Sequence, residues 1–332
     1  MKKWMVGGTI LVIVGLLLCS VGFALSGGDL QKASGNSDFE RKEATYAPDG
    51  LTKVKIEERD ADITLGVSTD DKIHITYYEN AKNRYEITQG DAWKIVKKTA
   101  QNWTDEIMNF NFAVEGNPLT ILLPEGIQWD VELNSALGDV TVTGGAYAGL
   151  SLETDYGVMD LSNVTASYLD ISSSKGDLFL EDIHVDGRAE ADSQYGMLQL
   201  TQVETVGPLE AETDNGDITL ENVKALSVAV GSDYGEISLR NVAAEGSLEA
   251  KTDKGDLDLD QVSAGSGLTL KTDYGSISGS LLGKMSDYSI EASTDLGDSN
   301  LPPVFREGRI NLYVHTDLGD INVTFQEKFE RR

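Results

Sequence analysis

Apolar residues recur in steps of two along most of this chain, in a pattern rewritten about every twenty residues. The copies align on Gly157, Gly176, Gly196, Gly216, Gly235, Gly255 and Gly275, spaced 19, 20, 20, 19, 20 and 20 residues apart, with looser copies at Gly138, Gly297 and Gly319. Counted from the glycine, positions −7 and −5 are apolar (Leu169 and Ile171, Leu209 and Ala211, Val228 and Val230), and so are +2 and +4 (Leu178 and Leu180, Ile218 and Leu220). Position −3 is Ser or Thr in every copy and −2 is usually Asp; from Gly157 to Gly255, +6 is Asn, Asp or Gln and +7 is Val or Ile. Steps of two predict strands with one face inward, so each repeat holds two short strands. The Asp-x-Gly between them is turn chemistry, in which Asp accepts local backbone N–H groups and Gly supplies positive φ. The inward Ser/Thr is expected to satisfy backbone groups at the corner. No 3.6-residue spacing predicts a helix in this region.

A fixed period this short predicts an all-β fold, a β-solenoid whose coils bury their apolar faces against one another. A meander of hairpins has the same strand count. In-register stacking explains why each position keeps its residue type, so the solenoid is the expected architecture. A second period lies inside the first: the residue before the glycine runs Tyr156, Lys175, Tyr195, Asn215, Tyr234, Lys254, Tyr274. If one coil is twenty residues, Tyr and Lys interleave along one ridge; if it is forty, Tyr stacks on Tyr. Both arrangements satisfy the pattern.

Around the repeats the chain divides into residues 1–25, 26–50, 51–131, 132–325 and 326–332. Lys2 and Lys3 precede an uncharged run from Trp4 to Leu25. As a helix this run spans about 33 Å, enough for one transmembrane pass. The lysines keep its start cytoplasmic and place the rest outside, in the cell membrane as a single-pass protein. Gly22-Phe23-Ala24 also fits a cleaved signal peptide. Cys19 follows Leu16-Leu17-Leu18, whereas a lipoprotein signal wants a small residue before its cysteine. Residues 26–50 are polar and mixed in charge, the composition of a flexible linker. Residues 51–131 give N-terminal strands and a cap, in which Trp93, Trp103, Phe110 and Phe112 are expected to close the open end of the stack. Leu301-Pro302-Pro303 interrupts the pattern before a last pair of strands, and residues 326–332 are a charged tail.

The formal net charge is −28, which argues against nucleic acid as a partner. Cys19 is the only cysteine, so no intrachain disulfide forms. The early Ala-Asp-Ile-Thr-Leu strand (61–65), the irregular stretch after it, the Ile-Leu-Leu-Pro-Glu-Gly segment (121–126) and the Gly-Asp-Ile/Leu-x-Leu repeats together resemble a bacterial family, the β-strand-repeat "putative adhesin" domains of unknown function. The resemblance covers residues 51 to 325. It implies a solenoid-like all-β domain, often membrane-attached and sometimes tied to envelope stress responses. It supplies no catalytic residues to carry over.

His74, His184 and His315 are scattered, and nothing in the sequence pairs them as a metal cluster or triad. No cofactor is expected. Asp214, Asp233, Asp253 and Asp273 would stack at successive corners, and calcium is possible there but not favoured over turn capping. These readings point to a non-enzymatic cell-envelope module, adhesin-like or a scaffold, presented outside the membrane, with a cell-wall glycan or envelope protein as partner. The alternatives are an envelope-stress sensor acting through a membrane partner and a polysaccharide-active β-helix enzyme. The candidate binding ridge is Tyr156, Tyr195, Tyr234 and Tyr274 with Lys175 and Lys254.

The topology has a direct check. Protease added to intact cells is expected to digest the repeats and leave a small membrane fragment; full protection of the repeats contradicts it.

Overall fold

The computed structural model describes residues 39–99 and 117–327. The apolar run at 1–25, Trp103, Phe110, Phe112 and the end of the charged tail lie outside the described residues. Among the described residues no helix is long and apolar enough to cross a membrane.

Each repeat folds as two strands, and each strand pairs in parallel with its counterpart one repeat away. Leu169–Lys175 lies between Ala146–Tyr156 and Ala189–Tyr195, with Leu150, Leu169 and Ala189 in one column. Leu178–Val185 lies between Met159–Ala166 and Leu198–Thr205 in the same manner. The chain is therefore a β-solenoid of about ten coils, and one repeat of about twenty residues is one coil. That register rejects both the hairpin meander and the forty-residue coil. Parallel pairing also explains the sequence identity: equivalent residues stand about 4.8 Å apart, so each column must tolerate itself. Inside, Leu, Ile, Val and Ala columns such as Leu180, Leu200, Leu220 and Leu239 are completely buried and form one continuous core.

The corner after the first strand is held by three devices. First, from Ser193 onward the buried hydroxyl at −3 donates to the glycine carbonyl of the neighbouring coil: Ser193 to Gly176 (3.1 Å), Thr213 to Gly196 (3.1 Å), Ser232 to Gly216 (3.0 Å), Thr252 to Gly235 (3.0 Å), Thr272 to Gly255 (2.9 Å) and Thr316 to Gly275 (2.8 Å), whereas Thr154 donates to Tyr156 O and the Ser135 and Ser173 hydroxyls meet no protein partner. Second, coils approach so closely here that a Cβ on Gly216, Gly235 or Gly255 would lie 1.9 Å from the carbonyl oxygen of the preceding glycine. Close stacking, more than backbone freedom, explains this glycine column. Third, the aspartates that accept backbone N–H groups stand at +1 and not at −2, and they reach across coils. Asp177 takes the N–H of Met197 (2.8 Å), Asp217 that of Glu236 (2.9 Å) and Asp256 that of Ser276 (2.7 Å). Each carboxylate serves the next coil, and from Asp177 through Asp217 to Asp256 it stands in alternate coils, which is one part of the double period.

The left-handed backbone expected at the glycine occurs six residues later. Asn163, Asp182, Gln202, Asn222, Asn241 and Gln261 have φ of 51–57°. Asn and Asp tolerate this region better than other side-chain-bearing residues. The bend restarts the alternation, so that +2, +4 and +7 all point inward, as Leu178, Leu180 and Ile183 do.

Both ends of the stack are built by chain that runs past and returns. Lys53–Glu57 pairs directly with Trp129–Ser135 and Ile63–Ser68 with Val140–Thr143, and the described strands at 73–99 and 119–124 lie outside this first coil. There Asn83–Gln89 and Trp93–Thr99 make an antiparallel hairpin on Lys53–Glu57. Glu40–Tyr46, expected within the linker, is a strand antiparallel to Ile73–Glu79; its Glu-Arg-Lys-Glu run hides a weak alternation that turns Lys42, Ala44 and Tyr46 partly inward. Trp93 is buried against Tyr46, with ring centroids 4.9 Å apart. At the other end Ile310–Leu318 inserts between Gly267–Tyr274 and Tyr288–Leu296, so the last coil in sequence is not the last in space.

In the first coil Glu58 stands in the −3 column, where the repeats carry Ser or Thr. Its buried carboxylate accepts the N–H groups of Arg59, Asp60 and Ala61, the Lys97 ammonium (2.8 Å) and the Tyr85 hydroxyl. Burial opposes the charge on Lys97, but Glu58 and Asp60 outweigh it and hold its pKa above the ordinary value. This cluster fastens the hairpin to the first corner.

Two glycines separate packing from propensity. Gly255→Ala is expected to destabilise by about 1–3 kcal/mol or more, because its Cβ meets backbone. Gly231→Ala, on the outer face with nothing closer than 3.8 Å, is expected to be neutral or slightly stabilising. Urea unfolding of the two variants checks the contrast.

Candidate functional site

The residues before the glycines form one column in space. Its register runs Tyr156, Lys175, Tyr195, Asn215, Tyr234, Lys254, Tyr274 and then Leu318. The four tyrosines are 47–55% exposed, so the corner does not bury them. Tyr and Lys interleave. Lys175 Nζ is 3.3 Å from the Tyr156 hydroxyl and 5.0 Å from its ring centroid; Lys254 Nζ is 3.3 Å from the Tyr234 hydroxyl and 4.4 Å from its centroid. A cation above the ring would be nearer the centroid than the oxygen. Each ammonium therefore sits at the hydroxyl rim, and the contact is a hydrogen bond more than a cation–π interaction. The ridge continues at both ends in leucines the sequence reading passed over: Leu137, Leu318 and Leu296 are exposed. The signal was present, since each immediately precedes a repeat glycine.

Beside the ridge the −2 column carries Asp214, Asp233, Asp253 and Asp273, and it continues through Asp317 to Asp295. Further from the corner lies a shallow trough of about 560 Å3. Asp192, Glu212, Asp214, Asp233 and Asp253 line it, with Gly231 leaving the dent and Lys251 at one side. Lys251 is paired with Glu249. Burial, and then the charges of Glu190, Glu212 and Glu210, push the Asp192 carboxyl up to about 6. Burial, and then the charges of Glu210, Glu190, Asp214 and Asp233, raise Glu212 as well.

Residues 51–205 and 187–324 match the Toastrack DUF4097 family model. The chain belongs to the Toastrack DUF4097 family. No curated protein matches this Toastrack chain. Among solved structures, it is similar to a "putative adhesin" from Parabacteroides merdae, at 13% identity and a TM-score of 0.40, covering 87% of this chain and 97% of that one. A "putative adhesin" from Bacteroides fragilis is 14% identical, with a TM-score of 0.39, covering 86% and 97%. A "putative cell adhesion protein" from Clostridium sporogenes is 11% identical, with a TM-score of 0.24, covering 87% and 100%.

The histidines of this Toastrack chain are not the isolated residues their spacing suggested. His74 Nε2 is 2.7 Å from Asp70, His184 Nε2 is 3.4 Å from Asp186, and His315 Nε2 is 3.0 Å from Asp317. His315 Nδ1 is also 2.9 Å from Ser293 Oγ, which completes a Ser–His–Asp chain on the open sheet face. The strands carrying Ser293 and His315 are paired in parallel, Ser293 beside His315 and Thr294 beside Thr316. Their N–H groups are committed to the ladder and present no oxyanion hole, without which such a chain does little acyl transfer. The three His–Asp pairs are local, two to four residues apart in sequence, whereas Ser293 reaches His315 only because stacking brings together residues about one coil apart. Among the described residues no group of three or more His, Cys, Asp or Glu is placed to hold a metal ion.

The trough makes a pH prediction. The folded state holds the Asp192 proton more tightly than the unfolded chain, whose carboxyl titrates near the ordinary Asp value. Stability therefore falls as pH rises from about 4 to about 6, and the penalty is complete above that. Asp192→Asn is expected to raise Tm at pH 7.5 and to change it little at pH 4.

Proposed function

We propose that this protein is a non-enzymatic binding module of the cell surface, held by the apolar segment at 4–25, which engages an envelope component through its corner ridge. The observation that carries this reading is the straight column in which a half-exposed tyrosine recurs at every second coil, with Lys175, Asn215 and Lys254 between. A merely solvated corner does not call for tyrosine. Soluble proteins rarely leave a regular row of large rings half open without a partner for it. Tyrosine in particular offers an apolar body with a polar tip, at low entropic cost on binding.

One observation favours a polysaccharide-active enzyme as a second reading: the trough places a carboxyl that holds its proton to about pH 6 beside further carboxyl groups. Glycosidases use such pairs. The trough is shallow and open to water, and Lys251 is already paired with Glu249 outside it. Loss of any glycan cleavage in Asp192→Asn would favour this second reading.

The ridge reading is tested with Tyr195→Ser/Tyr234→Ser. Binding of the purified protein to an envelope fraction is expected to fall by about tenfold or more, with Tm shifted by no more than a few degrees. Unchanged envelope binding contradicts it.

A further inference from the structure

The corner ridge has a fixed repeat length. Tyr156, Tyr195, Tyr234 and Tyr274 occupy every second coil, so consecutive rings stand about two strand spacings apart, or about 9.6 Å. The coils between them present Lys175, Asn215 and Lys254 at the same height. Along one line the surface therefore alternates a half-exposed aromatic ring with a long or amide-bearing hydrogen-bonding side chain.

A polymer that fits this surface must repeat over the same length and alternate in the same way. An extended β-1,4-linked pyranose chain does both. Each sugar advances the chain by about one strand spacing, and successive sugars are turned over, so the same face returns after about two spacings. The axial C–H face of one sugar then meets each aromatic ring, and the hydroxyls or amides of the next meet Lys or Asn. An extended polypeptide repeats over a shorter length, about 6.6 Å for two residues, and falls out of step. The flank sets the charge. Asp214, Asp233, Asp253 and Asp273 run alongside the ridge with Lys271 on Asp273 as the ion pair within that group. A polyanion laid on the ridge meets a parallel row of carboxylates at about one strand spacing, which repels it.

We infer that the ridge is a docking strip for an uncharged β-1,4-linked glycan, one disaccharide per two coils. This rests on the ridge reading above and names its ligand class. The interaction is multivalent: each added disaccharide reaches one more tyrosine at a high effective concentration.

The test titrates the full chain with β-1,4-linked N-acetylglucosamine oligomers of increasing length, with a soluble β-1,3-glucan and with a polyuronate. Affinity is expected to climb with each added pair of sugars, from about four to about eight, as successive tyrosines engage. The β-1,3-glucan and the polyuronate are expected to bind at least about tenfold more weakly. Tyr195→Ser/Tyr234→Ser is expected to lose the length dependence, and Tyr195→Phe/Tyr234→Phe, which keeps the rings, to retain it. If the serine variant fails to fold, the length series on the unaltered chain and the phenylalanine variant still decide. Absence of β-1,4-oligomer binding, a flat length dependence, or equal binding of the β-1,3-glucan overturns the glycan assignment. If that happens while envelope binding still depends on the tyrosines, the ridge reading stands and the ligand is of another class; if envelope binding ignores them too, both fall.

Discussion

The contact on which this structure depends is short and repeated: a buried Ser or Thr hydroxyl donating to the glycine carbonyl of the neighbouring coil. At that corner the coils lie too close for any Cβ at the glycine, so the carbonyl is shut away from water and needs a partner. A buried carbonyl without one costs about 1–3 kcal/mol. The −3 column supplies the donor coil after coil, from Ser193 to Thr316. With the corner locked, both strands of each coil are held in register with their neighbours, and every outward column becomes a straight line of residues. The ridge and the aspartate row are consequences of that register.

The repeat made much of this legible. The glycine period, the inward Leu, Ile and Val positions and the −3 hydroxyls together imply a parallel stack and a polar contact at the corner, and the structure has both. What stayed hidden are contacts between residues far apart in sequence. Asp177 reads as a local turn residue until the next coil places Met197 N–H against it. His315 reads as alone until Ser293 arrives from a coil that precedes it in sequence and lies outside it in space. Both chain-end excursions break the rule that sequence order is stacking order, and no local pattern encodes that. Glu58 was hidden differently. It sits in a column whose consensus is Ser or Thr, and its burial depends on Lys97 and Tyr85 from the hairpin.

The double period has a physical reading on each side of the glycine. At +1, one carboxylate serves the N–H of the next coil, and spacing the aspartates by two coils keeps like charges from standing about 4.8 Å apart. At −1, Tyr alternates with Lys or Asn, and the lysines hydrogen-bond the phenol oxygens without covering the rings. The first alternation serves the fold. The second leaves half of each ring open along the whole stack, and from that the functional reading follows.

Replacing the corner hydroxyl without changing its shape tests the central claim most directly. In Thr252→Val the side chain keeps its volume and its preference for strands, but the Gly235 carbonyl loses its donor. The account predicts that urea unfolding of Thr252→Val shows a loss of about 1–3 kcal/mol, while Thr252→Ser stays within about 1 kcal/mol of the unaltered chain. Equal stability of the valine variant would contradict it, because the corner would then be held by packing alone.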